Sequence, residues 1–110
     1  STMENLHDAA AGENYEWTDM YKEFERVARE EGFDRIANLF KLVGSVEQNH
    51  EKRYRKLIEN LEKGLVFEKT GEVVWKCRNC GYIHVGKAAP VVCPTCAHPQ
   101  AFFEVLAENY

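Results

Sequence analysis

No cysteine occurs in the first two thirds of this 110-residue chain; all four lie between positions 77 and 96. No apolar run approaches the roughly 20 residues that a membrane-spanning helix needs. A basic excess is missing too: 14 Lys and Arg stand against 18 Asp and Glu, for a net charge of −4. Without a basic stripe, nucleic acid is not expected as a partner. The start carries no export-signal pattern, and no internal repeat or low-complexity tract interrupts the rest. The missing export signal, with the cysteines arranged as ligands, points to a reducing, cytoplasmic setting. The length suits one compact domain or two small ones.

What is present starts with those cysteines. They form two matched knuckles, Cys77-x-x-Cys80 and Cys93-x-x-Cys96, twelve residues apart. Each tight loop puts two thiolates on one side, and two facing loops give tetrahedral sulfur coordination. Such a site selects zinc or iron over hard cations and leaves the choice between those two open. Two disulfides are a poor alternative, because a two-residue gap makes a poor disulfide loop. His84 and His98 lie near the knuckles, but four thiolates already complete a tetrahedron, so both are read as surface residues.

The first two thirds predict a helical hairpin. Ser1 and Glu4 have capping-box spacing, and the stripe Leu6, Ala9, Ala10, Glu13, Trp17, Met20, Phe24, Val27 and Ala28 follows helical periodicity up to a stop at Gly32. A second helix is expected from Asp34 to Lys63, with Gly64 as a left-handed stop. The connection is short enough to force the helices antiparallel. Beyond Leu65 the pattern turns β-prone at Val66-Phe67 and Val73-Val74-Trp75, with a break at Thr70-Gly71. The segment 101–106 is the expected partner strand for 73–76. The predicted class is α+β: a long antiparallel helical hairpin over 1–64, a linker over 65–72, and a small β domain over 73–110. That last unit is too small to fold on its apolar core alone and is expected to be stapled by metal.

Carboxylates sit where the helical stripes call for apolar side chains. Glu13 on the first helix, and Glu47 and His50 on the second, interrupt the apolar pattern, and Glu16 lies beside it. A buried carboxylate must be paired or metal-bound. Counting from Gly32 in an antiparallel pair puts Glu16 level with Glu47 and Glu13 level with His50, all within about one helical turn. Glu47-x-x-His50 is the i, i+3 pair that builds carboxylate-bridged di-iron sites in four-helix bundles. Tyr21, eight residues beyond Glu13, is either a core aromatic or a hydrogen-bond donor to a ligand. His7, beside the stripe, is read as solvated, and the alternating charges from Lys22 to Arg35 as an exposed face.

The chain closely resembles the carboxy-terminal part of rubrerythrin. The resemblance is carried by Gly12-Glu13-Asn14-Tyr15-Glu16 with Met20-Tyr21, by Glu47-x-x-His50-Glu51-Lys52-Arg53, and by Trp75-Lys76-Cys77-Arg78-Asn79-Cys80-Gly81-Tyr82. Ala89-Pro90, Cys93-Pro94-x-Cys96-x-His98-Pro99 and Phe103-Glu104 complete it. It implies half of a ferritin-like di-iron bundle followed by a rubredoxin-like domain. Cys77, Cys80, Cys93 and Cys96 would hold one redox-active iron, with zinc as a ready substitute. Glu13, Glu16, Glu47 and His50 match di-iron ligands, and Tyr21 matches a tyrosine that hydrogen-bonds a ligand carboxylate. The implied activity is reduction of hydrogen peroxide to water, with electrons delivered through the cysteine-bound iron from a reductase or rubredoxin. A zinc ribbon with a helical interaction module, and iron oxidation or storage, are the alternatives.

The chain departs from the family in one respect. Three carboxylates and one histidine are too few for two irons, and the other helical hairpin of a rubrerythrin is absent from this sequence. A chain that opens Ser1-Thr2-Met3 is therefore expected to need a partner, either the missing half or a second copy of itself, in a hetero- or homo-oligomer.

Overall fold

The structure, a computed structural model, describes residues 1–110. The chain divides into two compact units, Ser1–Glu59 and Asn60–Tyr110. In the first, α1 spans Thr2–Tyr15. The capping box forms as expected: the Ser1 hydroxyl accepts from the Glu4 backbone N–H at 3.2 Å, and the Glu4 carboxylate accepts from the Ser1 amine at 3.1 Å. Helix α2 covers Tyr21–Glu30 and α3 covers Asp34–Glu62. Gly32, at φ +85°, and Gly64, at φ +67°, adopt the left-handed conformation that ends a helix. The Phe33 N–H closes the first stop on the Ala28 carbonyl at 2.8 Å, and the Leu65 N–H closes the second on Asn60 at 2.7 Å.

Between α1 and α2 the chain does not keep the regular period that the sequence suggests. Residues Glu16–Met20 form a π turn, closed by the Tyr21 N–H on the Glu16 carbonyl five residues back. The Thr18 hydroxyl donates to the Asn14 carbonyl at 2.6 Å, a back-bond that competes with the regular helical ladder. A π turn advances less per residue than an α-turn, so the side chains from Trp17 onward are re-aimed relative to a straight helix.

The buried residues of the helical unit are small: Ala10, Ala28 and Ala37, with Ile58 the exception. At Gly44 a side chain's Cβ would lie 3.6 Å from the Tyr21 Cβ, so α2 and α3 approach closely there. Larger apolar side chains face outward. Phe24, Ile36, Leu39, Leu42, Val46 and Leu57 are each more than 40 % exposed. The hairpin buries alanines and leaves leucines exposed, an apolar face of the kind that marks an interaction surface.

The second unit is a three-stranded antiparallel sheet of order β2-β1-β3. Strand β1 spans Glu68–Cys77, β2 Ile83–Ala88 and β3 Phe103–Val105. Trp75 lies opposite His84 on one side and Val105 on the other. Trp75, Cys77, Ala89, Cys93 and Phe103 form the core, joined by Phe67, Val73, Tyr82 and Phe102 at its edge. The break expected at Thr70-Gly71 is instead a register irregularity within one strand, between Glu68 and Val73. An irregularity of this kind keeps a strand paired while absorbing a glycine. Strand β1 thus begins inside the segment expected as a linker, and Val66-Phe67 lies outside any strand. Strand β2 is the element that the sequence reading did not name. The segment 101–106 supplies the expected partner strand, which pairs with Trp75–Cys77.

Candidate metal centres

The two knuckles are near copies of each other. In the first, the Gly81 N–H returns to the Cys77 carbonyl and the Cys77 N–H to Tyr82, both at 2.9 Å. In the second, Ala97 returns to Cys93 at 2.9 Å and Cys93 bonds to His98 at 2.8 Å. Gly81 (φ +88°) and Ala97 (φ +61°) take the same left-handed corner after the second cysteine. The result brings all four Sγ atoms within 4.8 Å of one another. The cross-knuckle pairs Cys77–Cys96 and Cys80–Cys93 stand at 3.7 and 3.6 Å. Cys77 and Cys93 are buried, Cys96 is half-buried and Cys80 is exposed.

The thiols are electrostatically unequal. The His98 backbone N–H holds Cys96 down to about 6. At Cys80 the Tyr82 N–H favours the thiolate, but desolvation and the three neighbouring sulfurs outweigh it and push the thiol up to about 12. Four sulfurs this close cannot all ionise without a cation between them. The four cysteines form a metal-binding site of the tetrathiolate kind. His84 lies on β2 opposite Trp75, and the His98 ring packs edge-on against Phe102 at 4.5 Å. Neither belongs to the ligand cluster.

In the helical unit the structure brings Glu13, Glu47 and His50 together, with ligand atoms within 4.8 Å. His50 Nδ1 is 2.7 Å from Glu47 Oε2 and 3.5 Å from Glu13 Oε1. The side chains of Glu13 and Glu47 are 17 % and 16 % exposed, so two carboxylates share a largely buried spot. Burial, followed by the neighbouring Glu47 and Glu16 carboxyls, pushes Glu13 up to about 7. Glu16 therefore stands against Glu13, although outside the three-residue cluster. Glu13 Oε2 is buried with no hydrogen-bonding partner. An orphaned carboxylate oxygen beside a second carboxylate and an imidazole is what a hard or borderline cation would satisfy. Tyr21 packs its ring against Phe24 and Phe40, at 5.8 and 6.1 Å between centroids. His7 is exposed.

Sequence reasoning missed one group beside this cluster. Glu51 accepts from the Trp17 indole at 2.7 Å and from the Asn14 amide at 3.0 Å, across the hairpin. Arg55 donates to its other oxygen at 3.0 Å. These donors, Trp17 foremost, hold Glu51 below the usual carboxylate range while Glu13 nearby is raised. The available signal was spacing: Asn14 and Trp17 follow Glu13 and Glu16, and Glu51 follows His50.

Comparison with known proteins agrees with this division. The rubrerythrin family model matches residues 1–58, and that of the rubrerythrin rubredoxin-like domain matches residues 75–104. The chain is 56 % identical to rubrerythrin of Porphyromonas gingivalis over 110 residues, all of this chain and 55 % of the relative. It is 55 % identical to rubrerythrin-1 of Clostridium acetobutylicum over 109 residues, 99 % of this chain and 56 % of the relative. Among solved structures, the partially reduced state of nigerythrin superposes with a TM-score of 0.55 at 32 % identity, over 96 % of this chain and 50 % of that one. The chain thus spans about half the length of the curated relatives it matches.

Proposed function

The chain belongs to the rubrerythrin family, and we propose that it is a component of a non-haem di-iron peroxidase that reduces hydrogen peroxide to water. Rubrerythrins hold a di-iron centre and a rubredoxin-type iron. In this reading Glu13, Glu16, Glu47 and His50 would hold the di-iron centre, the carboxylates supplying oxygen ligands and His50 a neutral nitrogen. Cys77, Cys80, Cys93 and Cys96 hold the single iron. The irons, when bound, supply the electrons that peroxide takes up as its O–O bond breaks. The observation that carries the reading is the orphaned Glu13 oxygen within a cluster of carboxylates and imidazole.

The protein's own part is to keep these groups together in a half-buried site, with His50 at its exposed side. Glu47 and Glu13 are brought together with a proton favoured on Glu13, whose carboxyl is raised to about 7, so a cation would bind as that proton leaves. By the family resemblance Tyr21, whose ring packs against Phe24 and Phe40, would donate a hydrogen bond to a ligand carboxylate. The ligand set is half of what two irons need, and the exposed apolar face of α3 is half of a bundle. We propose that a further pair of helices supplies both, from another segment or another chain, in an oligomer. A reductase or rubredoxin would feed the cysteine-bound iron. No helix is long and apolar enough to cross a membrane, and a cytoplasmic location fits a tetrathiolate site.

A zinc ribbon accounts for the cysteines but leaves the half-buried carboxylates unexplained. The test uses the assembled protein: Glu47→Ala should abolish peroxide turnover and leave the red absorption of the ferric tetrathiolate intact. Turnover that survives the substitution would overturn the assignment of the di-iron ligands.

A further inference from the structure

We propose that Glu51 is a positioning residue: through Asn14 and Trp17 it clamps the helix carrying Glu13 and Glu16 to the helix carrying Glu47 and His50, in the one register that assembles the carboxylate cluster. The side chain is only 13 % exposed, and its two oxygens take the Asn14 amide, the Trp17 indole and the Arg55 guanidinium. It is a fully engaged carboxylate with no capacity left over for a metal. Its partners interleave with the ligands along the chain. Asn14 follows Glu13, Trp17 follows Glu16, and Glu51 follows His50, so each side of the clamp sits next to a ligand.

The helical unit needs such a device because its packing is permissive. Its fully buried residues are three alanines and one isoleucine, which specify axial position weakly, and the Tyr21, Phe24 and Phe40 rings that meet across the helices do so on the Gly32 side of the ligands. A slip of one turn moves a side chain about 5.4 Å along the axis. Glu13 Oε1 and His50 Nδ1 are 3.5 Å apart, so such a slip would dismantle the cluster. Trp17 also lies within the π turn, whose closing bond runs from the Tyr21 N–H to the Glu16 carbonyl. An indole pinned to the opposite helix holds that wide turn against relaxation to a regular one. Shape alone cannot replace this contact, because the acceptor must take two N–H donors on one oxygen.

The role rests on the ligand assignment above, and two readouts separate them. In the assembled protein, Glu51→Ala and Trp17→Phe are compared with the parent and with the double variant. Cobalt(II) is titrated in, the thiolate-to-cobalt absorption marking the cysteine site and weaker bands the carboxylate site. Each single variant should lose about tenfold in cobalt affinity at the carboxylate site, the scale expected for outer groups that orient ligands. The double variant should lose no more than Glu51→Ala alone, because without the Glu51 acceptor the indole has nothing left to bind, and the cysteine site should be unchanged. In the metal-free protein, exchange of the Tyr21 backbone amide should speed up about tenfold in each variant. Parent-like affinity and exchange, or losses that simply add, would overturn the clamp. If the parent takes no cobalt beyond the cysteine site, the ligand assignment falls and Tyr21 exchange alone decides the clamp. Should Glu51→Ala fail to fold, Trp17→Phe decides, since it removes the indole bond while keeping Glu51 with Asn14 and Arg55.

Discussion

The two units of this chain each gather side chains of metal-ligating type, at opposite degrees of self-sufficiency. The sheet unit carries all four thiolates within twenty residues and builds its small core around two of them, Cys77 and Cys93. The helical unit draws Glu13 from one helix and Glu47 and His50 from the other, buries mainly alanines, and turns its large apolar side chains outward. A tetrathiolate site is closed by local turns. A carboxylate site in a bundle is closed by packing, and packing needs all of its helices.

The largest effect that would sharpen this contrast is loss of a core cysteine. Cys93 is 1 % exposed and is both ligand and core residue. In Cys93→Ala the sheet unit should lose its metal and its fold together, since metal binding in such small units supplies on the order of 10 kcal/mol of apparent folding free energy. Circular dichroism should retain the helical signal while Trp75 emission shifts toward that of exposed indole. A sheet unit that stayed folded without metal would break the comparison.

A pH experiment probes the other unit. Glu13 is raised from 4.5 to about 7 in the folded state, so the folded protein holds its proton over a range where the unfolded chain has lost it. Its contribution is full below about 4.5 and disappears as pH rises through about 7. Glu51 has the opposite sign: its folded pKa is lowered, so its contribution is lost as pH falls through the acid range. Without metal, the helical unit should therefore unfold more easily at pH 8 than at pH 5.5 in denaturant titrations. Glu13→Gln should flatten the curve on that side. Metal should reverse the slope, because binding displaces the Glu13 proton and strengthens as pH rises.

A smaller test compares the two knuckles with each other. Gly81 takes the left-handed corner freely, whereas Ala97 takes it at φ +61° with a Cβ in the way. Ala97→Gly should stabilise the metal-bound sheet unit by about 1 kcal/mol, read as a rise in the denaturant midpoint. No change would mean that the second knuckle relieves its strain in some other way.

How much of this was legible in the sequence follows the same divide. Spacing alone led to the four-cysteine cluster, because a Cys-x-x-Cys turn brings its own two ligands together. The hairpin and its glycine stops followed from helical periodicity; the count from Gly32 set Glu13 level with His50 but Glu16 level with Glu47, whereas the structure gathers Glu47 with Glu13 and His50 and leaves Glu16 beside them. The π turn at Glu16–Met20 did not, since no glycine or proline marks it and the Thr18 back-bond only becomes visible in three dimensions. The Glu51 network was hidden for a related reason: a polar residue beside an apolar stripe looks solvated until its donors on the other helix are known. Strand β2 escaped notice because Ile83-His84-Val85-Gly86 offers a short and weak alternation next to a glycine.

The smallest effect concerns whether the hairpin's close approach is a constraint or an accident. Gly44 sits mid-way along α3, where glycine costs a helix about 0.5–1 kcal/mol relative to alanine. If close packing demanded glycine, an added methyl would clash. The Cβ of Gly44→Ala would meet the Tyr21 Cβ at 3.6 Å, which is ordinary van der Waals contact. The substitution should therefore stabilise the helical unit by a few tenths of a kcal/mol to about 1 kcal/mol and leave the carboxylate cluster undisturbed. A loss of stability would mean that α2 and α3 are pressed together more tightly once the bundle is complete. That outcome would place the tightest part of the helical unit's packing in the assembled state, while the sheet unit reaches its own within the chain.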